Sequence, residues 1–285
     1  MKTTIPSVFA TLLLAFGPAP STAAPPRVVD ITFDSHGVTL AGSVALPASP
    51  PIRAAVIFVH GSGPQSRNLD LARRFAEAGI AALVYDKRGA GDSGGRYEAD
   101  QSVSGPNIVL LADDAAAALE ALANYPALSN VPLGIAGISQ AGWIAPWAAR
   151  KAPHASFLLL WSGPVCKVSE EDIFSKATTD GDMDNPPTYA STLAARKETY
   201  VWPDFLGRDT DSFEELGKLA IPGLWLFGDN DGSIPVDLSI QKLQALRAAG
   251  HPYDYVLFSG AGHNNIDVTF ATAIDWIGRN AAPRR

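Results

Sequence analysis

Short apolar runs alternate with helix-forming segments along most of the chain, and this alternation restricts the possible folds more than any other feature. Runs such as 54–59 and 80–85 are apolar at every position, as expected for strands buried on both faces of a parallel sheet. A hairpin precedes them, with strands predicted at 28–33 and 38–45. The alternation predicts an α/β fold, with a mostly parallel central sheet flanked by helices. Further strands are predicted at 131–136, 155–161, 221–227 and 253–258.

Composition agrees with a single domain at 25–285. The chain has 285 residues, of which 47% are hydrophobic, enough for one sizeable core. Its formal net charge of -7 provides no electrostatic reason to expect nucleic acid or an anionic membrane as a partner. Cys166 is the only cysteine, so no internal disulfide forms, and we expect it to be a small buried apolar residue.

The first residues have the pattern of a bacterial secretory signal peptide. Lys2 precedes an apolar run at 8–16, and Ser21-Thr22-Ala23 supplies the small residues that a signal peptidase reads. We therefore predict a signal peptide at 1–24, with the mature protein secreted or periplasmic. The alternative is an uncleaved anchor, but the apolar run is short for a bilayer span, so no stable membrane insertion is expected.

Polar residues lie just after the ends of several predicted strands. They are His60, Asp86, Ser139, Asp231 and His263. Active sites of parallel α/β sheets lie at the carboxyl ends of the strands. This coincidence predicts one site that draws residues from distant parts of the chain.

Gly137-Ile138-Ser139-Gln140-Ala141-Gly142 joins a predicted strand to a predicted helix. A serine between small residues at such a turn is typical of a nucleophile elbow, where small neighbours avoid clashes around a strained serine. Ser139 is therefore the candidate nucleophile. The alternative is a serine that caps the following helix.

His263 is the candidate base. It lies in Gly260-Ala261-Gly262-His263-Asn264, and an imidazole that titrates near neutral pH can accept and return the serine proton. Asp229 and Asp231 both follow the strand at 221–227, and either carboxylate can orient the histidine. His60 is expected to brace its own loop. The other three histidines, His36, His154 and His251, are expected to be structural or exposed.

The glycine-rich loop His60-Gly61-Ser62-Gly63-Pro64 is the candidate oxyanion-binding segment. The amides of Ser62 and Gln140 are the predicted donors, because one donor belongs to the residue after the nucleophile. A phosphate-binding turn is the alternative, but no Gly-Lys-Ser/Thr follows. The second glycine-rich segment, 86–95, is interpreted as a structural turn with Arg88 in a salt bridge.

Residues 162–220 interrupt the alternation, with many charges and no clear buried strand. A segment of this length inside a compact domain is usually functional or carries its own helices. We predict a helical cap inserted over the sheet. A disordered surface insertion is the alternative, although Tyr200, Trp202 and Phe205 provide apolar area to bury.

Taken together, these motifs resemble the α/β-hydrolase superfamily over about 28–285, excluding the cap. The order Ser139, Asp231, His263 matches that superfamily. The segments 60–64, 85–89 and 137–142 resemble a bacterial branch with serine-aminopeptidase-like proteins, small carboxylesterases and thioesterases. The family pattern Gly-x-x-Asp after the acid strand matches 228–231 and favours Asp231 over Asp229. Ala141 departs from the usual Gly-x-Ser-x-Gly.

The resemblance implies a serine hydrolase that acts on a small-molecule acyl substrate, most often a carboxylic ester, with no metal or organic cofactor. A peptidase, amidase or thioesterase with the same triad is the first alternative. An acidic pocket from Glu170, Glu171 and Asp172 would favour a substrate with a free amino terminus, unless these acids form a solvated face. A non-catalytic binding protein on the same fold is the alternative of another class.

Overall fold

Eight strands form one sheet in the computed structural model, which describes residues 24–281. The strand order is β1-β2-β4-β3-β5-β6-β7-β8. The first two strands form an antiparallel hairpin, β2 pairs antiparallel with β4, and all other neighbours are parallel. The strands are β1 (Arg27–Ser35), β2 (Val38–Leu46), β3 (Ala54–Val59), β4 (Ile80–Tyr85), β5 (Leu133–Ile138), β6 (Ala155–Trp161), β7 (Gly223–Gly228) and β8 (Tyr253–Phe258).

Eight α-helices accompany the sheet in the described part of the chain. They are α1 (Leu69–Glu77), α2 (Gly105–Ala123), α3 (Ala141–Lys151), α4 (Val168–Thr178), α5 (Tyr189–Ala195), α6 (Ser212–Leu216), α7 (Val236–Ala248) and α8 (Ile266–Asn280). None of the helices within 24–281 combines the length and apolarity needed to cross a bilayer. The predicted signal peptide lies outside the described residues except for its last position.

Two hydrophobic clusters sandwich the sheet, as the uniformly apolar strands predict. Alternate residues of β3 point to opposite faces, so Ile57 belongs to one cluster and Phe58 to the other. Helices α2, α3 and α7 contribute to the first cluster, and α1 and α8 contribute to the second. The predicted α/β fold with a mostly parallel, helix-flanked sheet is confirmed.

The long alanine-rich helix of the chain contains a proline near its start. Helix α2 begins at Gly105, and Pro106 lies within its first turn rather than before it. Proline is tolerated there because the first amides of a helix have no intrahelical acceptor.

The segment 162–220 carries α4, α5 and α6, and an isolated bridge between Lys167 and Asp211 is its only strand-like pairing. Trp202 and Phe205 pack edge to face, with ring centroids 5.5 Å apart. Val201 and Leu206 beside them remain exposed. The segment therefore carries three short helices joined by irregular chain, with an aromatic contact of its own.

Candidate active site

Ser139 lies at a tight turn between β5 and α3. Its φ of 56° is in the left-handed region, which is uncommon for a residue with a side chain. Its amide donates to the carbonyl oxygen of Trp161 at 2.9 Å, which fixes the turn to the end of β6. Gln140, not Ser139, is the N-cap of α3, so the serine does not have the helix-capping role considered as an alternative.

The elbow requires small residues because the backbone around Ser139 is crowded. A Cβ atom on Gly137 would lie 2.5 Å from the Cβ of Ala141 and 2.8 Å from the Val59 carbonyl oxygen. A Cβ on Gly142 would lie 2.5 Å from the Pro164 ring. Ala141 is itself fully buried, so the departure from glycine at this position is accommodated by packing.

His263 and Asp231 form a direct pair. The Nδ1 atom of His263 lies 3.0 and 2.9 Å from the two carboxylate oxygens of Asp231. The Asp231 side chain is fully buried, and its Oδ1 also accepts from the amides of Ser233 at 2.9 Å and Ile234 at 3.2 Å. These bonds fix the carboxylate, which in turn orients the imidazole.

Opposing effects act on the His263 imidazole. Burial disfavours the charged ring, but the hydrogen bond and charge of Asp231, together with the charges of Asp182 and Asp180, outweigh burial and raise the pKa of His263. The imidazolium form is therefore stabilised. A histidine that acts as a base needs this stabilisation, because it must hold a proton during the reaction.

Asp229 has a different environment. Its Oδ1 accepts from the amide of Gly260 at 2.7 Å, so it braces the loop that precedes His263. Of the two candidate acids, only Asp231 contacts the imidazole.

The loop after β3 lies directly beside Ser139. A Cβ on Gly61 would lie 3.3 Å from the Cβ of Ser139. Within residues 24–281, neither the Ser62 amide nor the Gln140 amide donates a hydrogen bond to a backbone carbonyl oxygen. Both therefore remain available for an oxygen atom of a ligand. His60 braces this loop, with Nε2 at 2.5 Å from the Tyr85 carbonyl oxygen.

Lys87 is a residue of this region that the sequence interpretation missed. Its buried ammonium group donates to the carbonyl oxygens of Gly61 at 2.7 Å and Gly63 at 3.1 Å. It also donates to Oε1 of Gln140 at 2.8 Å. Its position two residues after the end of β4, within 86–95, was the available signal, but that segment was interpreted as a structural turn only.

The rest of that turn is structural, as predicted. A Cβ on Gly91 would lie 2.4 Å from the Asp86 carboxylate, which itself accepts from the Arg67 amide at 2.7 Å. Arg88 forms a buried ion pair with Asp114, and its Nε lies 3.0 Å from Oδ2. The turn thereby ties β4 to α2.

A cleft of about 320 Å³ joins these elements. Ser62, Ser139 and His263 line it, together with Glu171 and Asp180 from the segment 162–220. Burial, and then the charges of Asp172, Asp180 and Asp231, raise the pKa of Glu171 to about 8. The cleft therefore combines a half-buried serine, an oriented imidazole and acidic side chains on its wall.

Of the three acids considered for an acidic pocket, Glu171 alone lines this cleft. Glu170 lies 2.6 Å from the Lys242 ammonium group, and Asp172 lies 2.7 Å from that of Lys176. The remaining histidines lie elsewhere: His36 and His154 pair with surface acids, and His251 stacks on Tyr253. Cys166 is fully buried.

Comparison with known proteins identifies the fold. The family model described as serine aminopeptidase S33 matches residues 50–181. The structure aligns with a Pyrococcus horikoshii acylaminoacyl peptidase with a TM-score of 0.67 and 16% identity, over 90% of this chain and 42% of that one. The chain has the α/β-hydrolase fold. The resemblance inferred from the elbow and the flanking motifs is confirmed.

Further proteins to which this chain is similar include an esterase and an uncharacterised protein. A Pyrococcus furiosus esterase aligns with a TM-score of 0.63 and 17% identity, over 89% of this chain and 90% of that one. An uncharacterised Mycobacterium tuberculosis protein is 27% identical over 252 residues, 87% of this chain and 77% of its own length. The chain spans less than half of the P. horikoshii peptidase, and the matched proteins include both esterase and peptidase types.

Proposed function

We propose that the protein is a serine hydrolase that cleaves carboxylic esters through Ser139, His263 and Asp231. The observation that carries this proposal is the fixed His263–Asp231 pair, which shares one cleft with a serine on a left-handed elbow. A serine hydroxyl needs a base, an acid that orients the base and donors for the oxyanion. His263 and Ser62 line this cleft, and Asp231 and Gln140 are buried beside residues that line it.

In this mechanism, the Ser139 Oγ attacks the acyl carbon while His263 takes the hydroxyl proton. The resulting imidazolium is stabilised by Asp231, and the amides of Ser62 and Gln140 donate to the tetrahedral oxyanion. Collapse expels the alcohol, which receives the proton from His263 and leaves an acyl-serine. Water, deprotonated by His263, then releases the acid and restores Ser139.

The test is hydrolysis of short-chain p-nitrophenyl esters by the purified protein and by Ser139→Ala. Turnover that falls by about 10³-fold or more in Ser139→Ala supports the proposal. Turnover that is equal in both proteins excludes Ser139 as the nucleophile. Absence of turnover, combined with no labelling by a fluorophosphonate, favours a non-catalytic binding protein on this fold.

A second candidate, an aminopeptidase-like activity with the same triad, is favoured by one observation. Glu171 and Asp180 contribute carboxylates to the wall of the cleft beside Ser139 and His263. An α-ammonium group of a peptide is a suitable partner for Asp180, and for Glu171 once it has lost its proton, since ionised partners strengthen the hydrogen bonds between them. An ester or peptide with a free amino group would then be the preferred substrate.

Aminoacyl p-nitroanilides and their N-acetylated forms distinguish the two candidates. The peptidase candidate requires turnover of the free-amine form that is lost on acetylation and reduced in Glu171→Gln. Glu198→Gln, in the same segment but exposed, is the matched control and should have no effect. Hydrolysis of neutral esters alone, unaffected by Glu171→Gln, would leave the esterase proposal in place and exclude the aminopeptidase.

Export from the cytoplasm remains a further part of the proposal. It is supported by the basic, apolar and small-residue pattern of the first 24 positions. Mass spectrometry of the protein from a bacterial periplasm or medium should find a mature amino terminus near Ala24 or Pro25. A cytosolic protein that keeps Met1 to Ala23 would exclude it.

A further inference from the structure

Lys87 occupies an unusual position for a lysine. Its side chain is buried behind the loop 60–64, and its three oxygen acceptors are two backbone carbonyls and one side-chain amide, with no carboxylate among them. Burial of an ammonium group is unfavourable unless strong acceptors surround it. A lysine in this position therefore needs an explanation beyond packing.

The acceptors of Lys87 belong to both halves of the candidate oxyanion hole. Gly61 and Gly63 flank Ser62, the donor on the first loop, and Gln140 is the donor that follows Ser139. The Gln140 side chain is held at both ends, because its Nε2 donates to the Ser102 carbonyl oxygen at 2.7 Å. One ammonium group thus ties the two donors into a fixed geometry.

The Gly61 carbonyl has a further consequence, because it shares a peptide group with the Ser62 amide. In a trans peptide, the carbonyl oxygen and the amide hydrogen point in opposite directions. The Gly61–Ser62 bond is trans, so its oxygen faces Lys87 while its N–H faces away from the ammonium group. A hydrogen bond from the Lys87 ammonium group to the carbonyl oxygen draws electron density away from the N–H of the same peptide group. The Ser62 amide thereby becomes a stronger donor, since linked hydrogen bonds strengthen one another.

We propose that Lys87 is a positioning residue of the oxyanion hole, which holds the Ser62 and Gln140 donors in place and polarises the Gly61–Ser62 peptide group toward the developing oxyanion. This inference rests on the proposed serine hydrolase function. The buried charge of Lys87 then stabilises the transition state, because negative charge on the substrate oxygen is greatest there.

Few other charged or titratable groups face this ammonium group. The Tyr97 ring lies with its centroid 5.6 Å from Nζ, and His60 lies on the same loop as Gly61. Burial lowers the pKa of His60, so its ring is neutral when Lys87 is charged. The adjacent Asp86 carboxylate accepts from the amides of Arg67 and Asp92. Burial also lowers the pKa of Lys87 to about 8, so the lysine remains mostly charged at neutral pH.

The test compares Lys87→Met and Lys87→Arg with the wild type in ester hydrolysis that depends on Ser139. Lys87→Met keeps the length of the side chain but removes its charge and donors. We expect kcat to fall by about 10- to 100-fold, with KM changed by less than about threefold. This decrease in kcat is no larger than the decrease caused by removal of one direct oxyanion donor. Lys151→Met at the far end of α3 is the matched control and should retain wild-type kinetics.

A trifluoromethyl ketone supplies a readout that a merely structural role would not affect. Its adduct with Ser139 carries an oxyanion, so its inhibition constant should rise in Lys87→Met by the same factor by which kcat/KM falls. A substrate-like ketone without the fluorines, bound non-covalently, should keep its affinity.

The pH profile provides an independent comparison when Lys87→Met fails to fold. In the wild type, kcat should fall above about pH 8 as Lys87 loses its proton. Lys87→Arg retains its charge, so this alkaline decrease should disappear, whereas it should persist in Glu171→Gln. An alkaline decrease that persists in Lys87→Arg overturns the inference.

Two further outcomes also contradict the inference. The first is a folded Lys87→Met with kcat within about threefold of the wild type. The second is a raised KM with unchanged kcat, which would assign the lysine to ground-state binding. In both cases, loss of turnover in Ser139→Ala would still support the proposed function, so the two failures are distinguishable.

Discussion

Asp182 accepts a hydrogen bond from the backbone amide of His263, with 2.6 Å between Oδ1 and N. Asp182 belongs to the segment 162–220, so the insertion directly contacts the loop that carries the candidate base. The contact is close, because a Cβ atom on Gly262 would lie 2.0 Å from the Asp182 carboxylate. Glycine at 262 is therefore required by this approach, and the insertion contributes to the position of His263.

Asp182→Asn and Asp182→Ala should separate the charge of this residue from its hydrogen bond. Asparagine keeps an acceptor for the His263 amide, whereas alanine does not. We expect kcat in Asp182→Ala to fall by about three- to tenfold relative to Asp182→Asn at high pH, from the loss of one hydrogen bond. Equal plateaus in the two variants, measured by steady-state ester hydrolysis, would contradict a positioning role.

The pH dependence of ester hydrolysis in Asp182→Asn and Asp182→Ala measures the effect of the Asp182 charge on His263. His263 must be neutral to act as a base, and its pKa is raised in the folded protein, so kcat/KM should rise with pH with a midpoint above 6.5. The charge of Asp182 contributes to that raised pKa. Both variants should therefore shift the midpoint to lower pH. A midpoint that moves to higher pH would have the wrong sign.

Gly137→Ala should destabilise the elbow because its new methyl group would meet the Ala141 methyl group and the Val59 carbonyl oxygen. Overpacking of this kind costs about 1–3 kcal/mol in the free energy of unfolding. The double variant Gly137→Ala/Ala141→Gly removes one clash and should recover part of that loss. Urea unfolding of the two single variants and the double variant measures this coupling, and strictly additive losses would contradict it.

The buried pair Arg88–Asp114 should stabilise the fold far more than its exposed neighbour. Asp114→Ala leaves the Arg88 guanidinium buried without its partner, at a cost of about 3 kcal/mol or more. Asp113→Ala, one residue earlier, removes solvent-accessible contacts with Lys151 and His36 and should cost less than about 1 kcal/mol. Equal losses in urea unfolding would show that burial of the pair does not determine its contribution.

Binding of an organic cation in the cleft should depend on the ionisation of Glu171. The pKa of this carboxyl is about 8 without a ligand, so an ammonium group that binds its charged form must displace a proton at lower pH. The affinity of benzyltrimethylammonium, whose charge does not titrate, should therefore increase from pH 6 to pH 8. Calorimetry should detect a larger increase in the wild type than in Glu171→Gln, where only deprotonation of His263 in the same cleft contributes, and an equal increase in both proteins would exclude the contact.

The strands and the elbow could be predicted from the sequence because each leaves a local pattern. Strands β3 and β4 are buried on both faces and therefore apolar at every position. The strain at Ser139 demands small neighbours, which are adjacent in sequence. The pair of His263 with Asp231 was anticipated from the family pattern rather than from physics, since Asp229 follows the same strand.

The contributions of Lys87, Glu171 and Asp182 could not be predicted in the same way. Each acts on a residue far away in the chain, such as Lys87 on Gln140 or Asp182 on His263. Glu170, Glu171 and Asp172 have similar sequence surroundings, yet the orientation of α4 brings Glu171 alone to the cleft. Such contacts depend on how loops pack over the sheet edge, and no local periodicity records them.

The most direct measurement is the identification of the residue that a fluorophosphonate modifies, by peptide mass spectrometry of the wild type, His263→Ala and Asp231→Ala. The proposed mechanism predicts a single adduct on Ser139 in the wild type, with labelling slowed by at least about 10²-fold in His263→Ala and less strongly in Asp231→Ala. An adduct on another residue, or labelling of Ser139 at the same rate in all three proteins, would contradict the assignment of the triad.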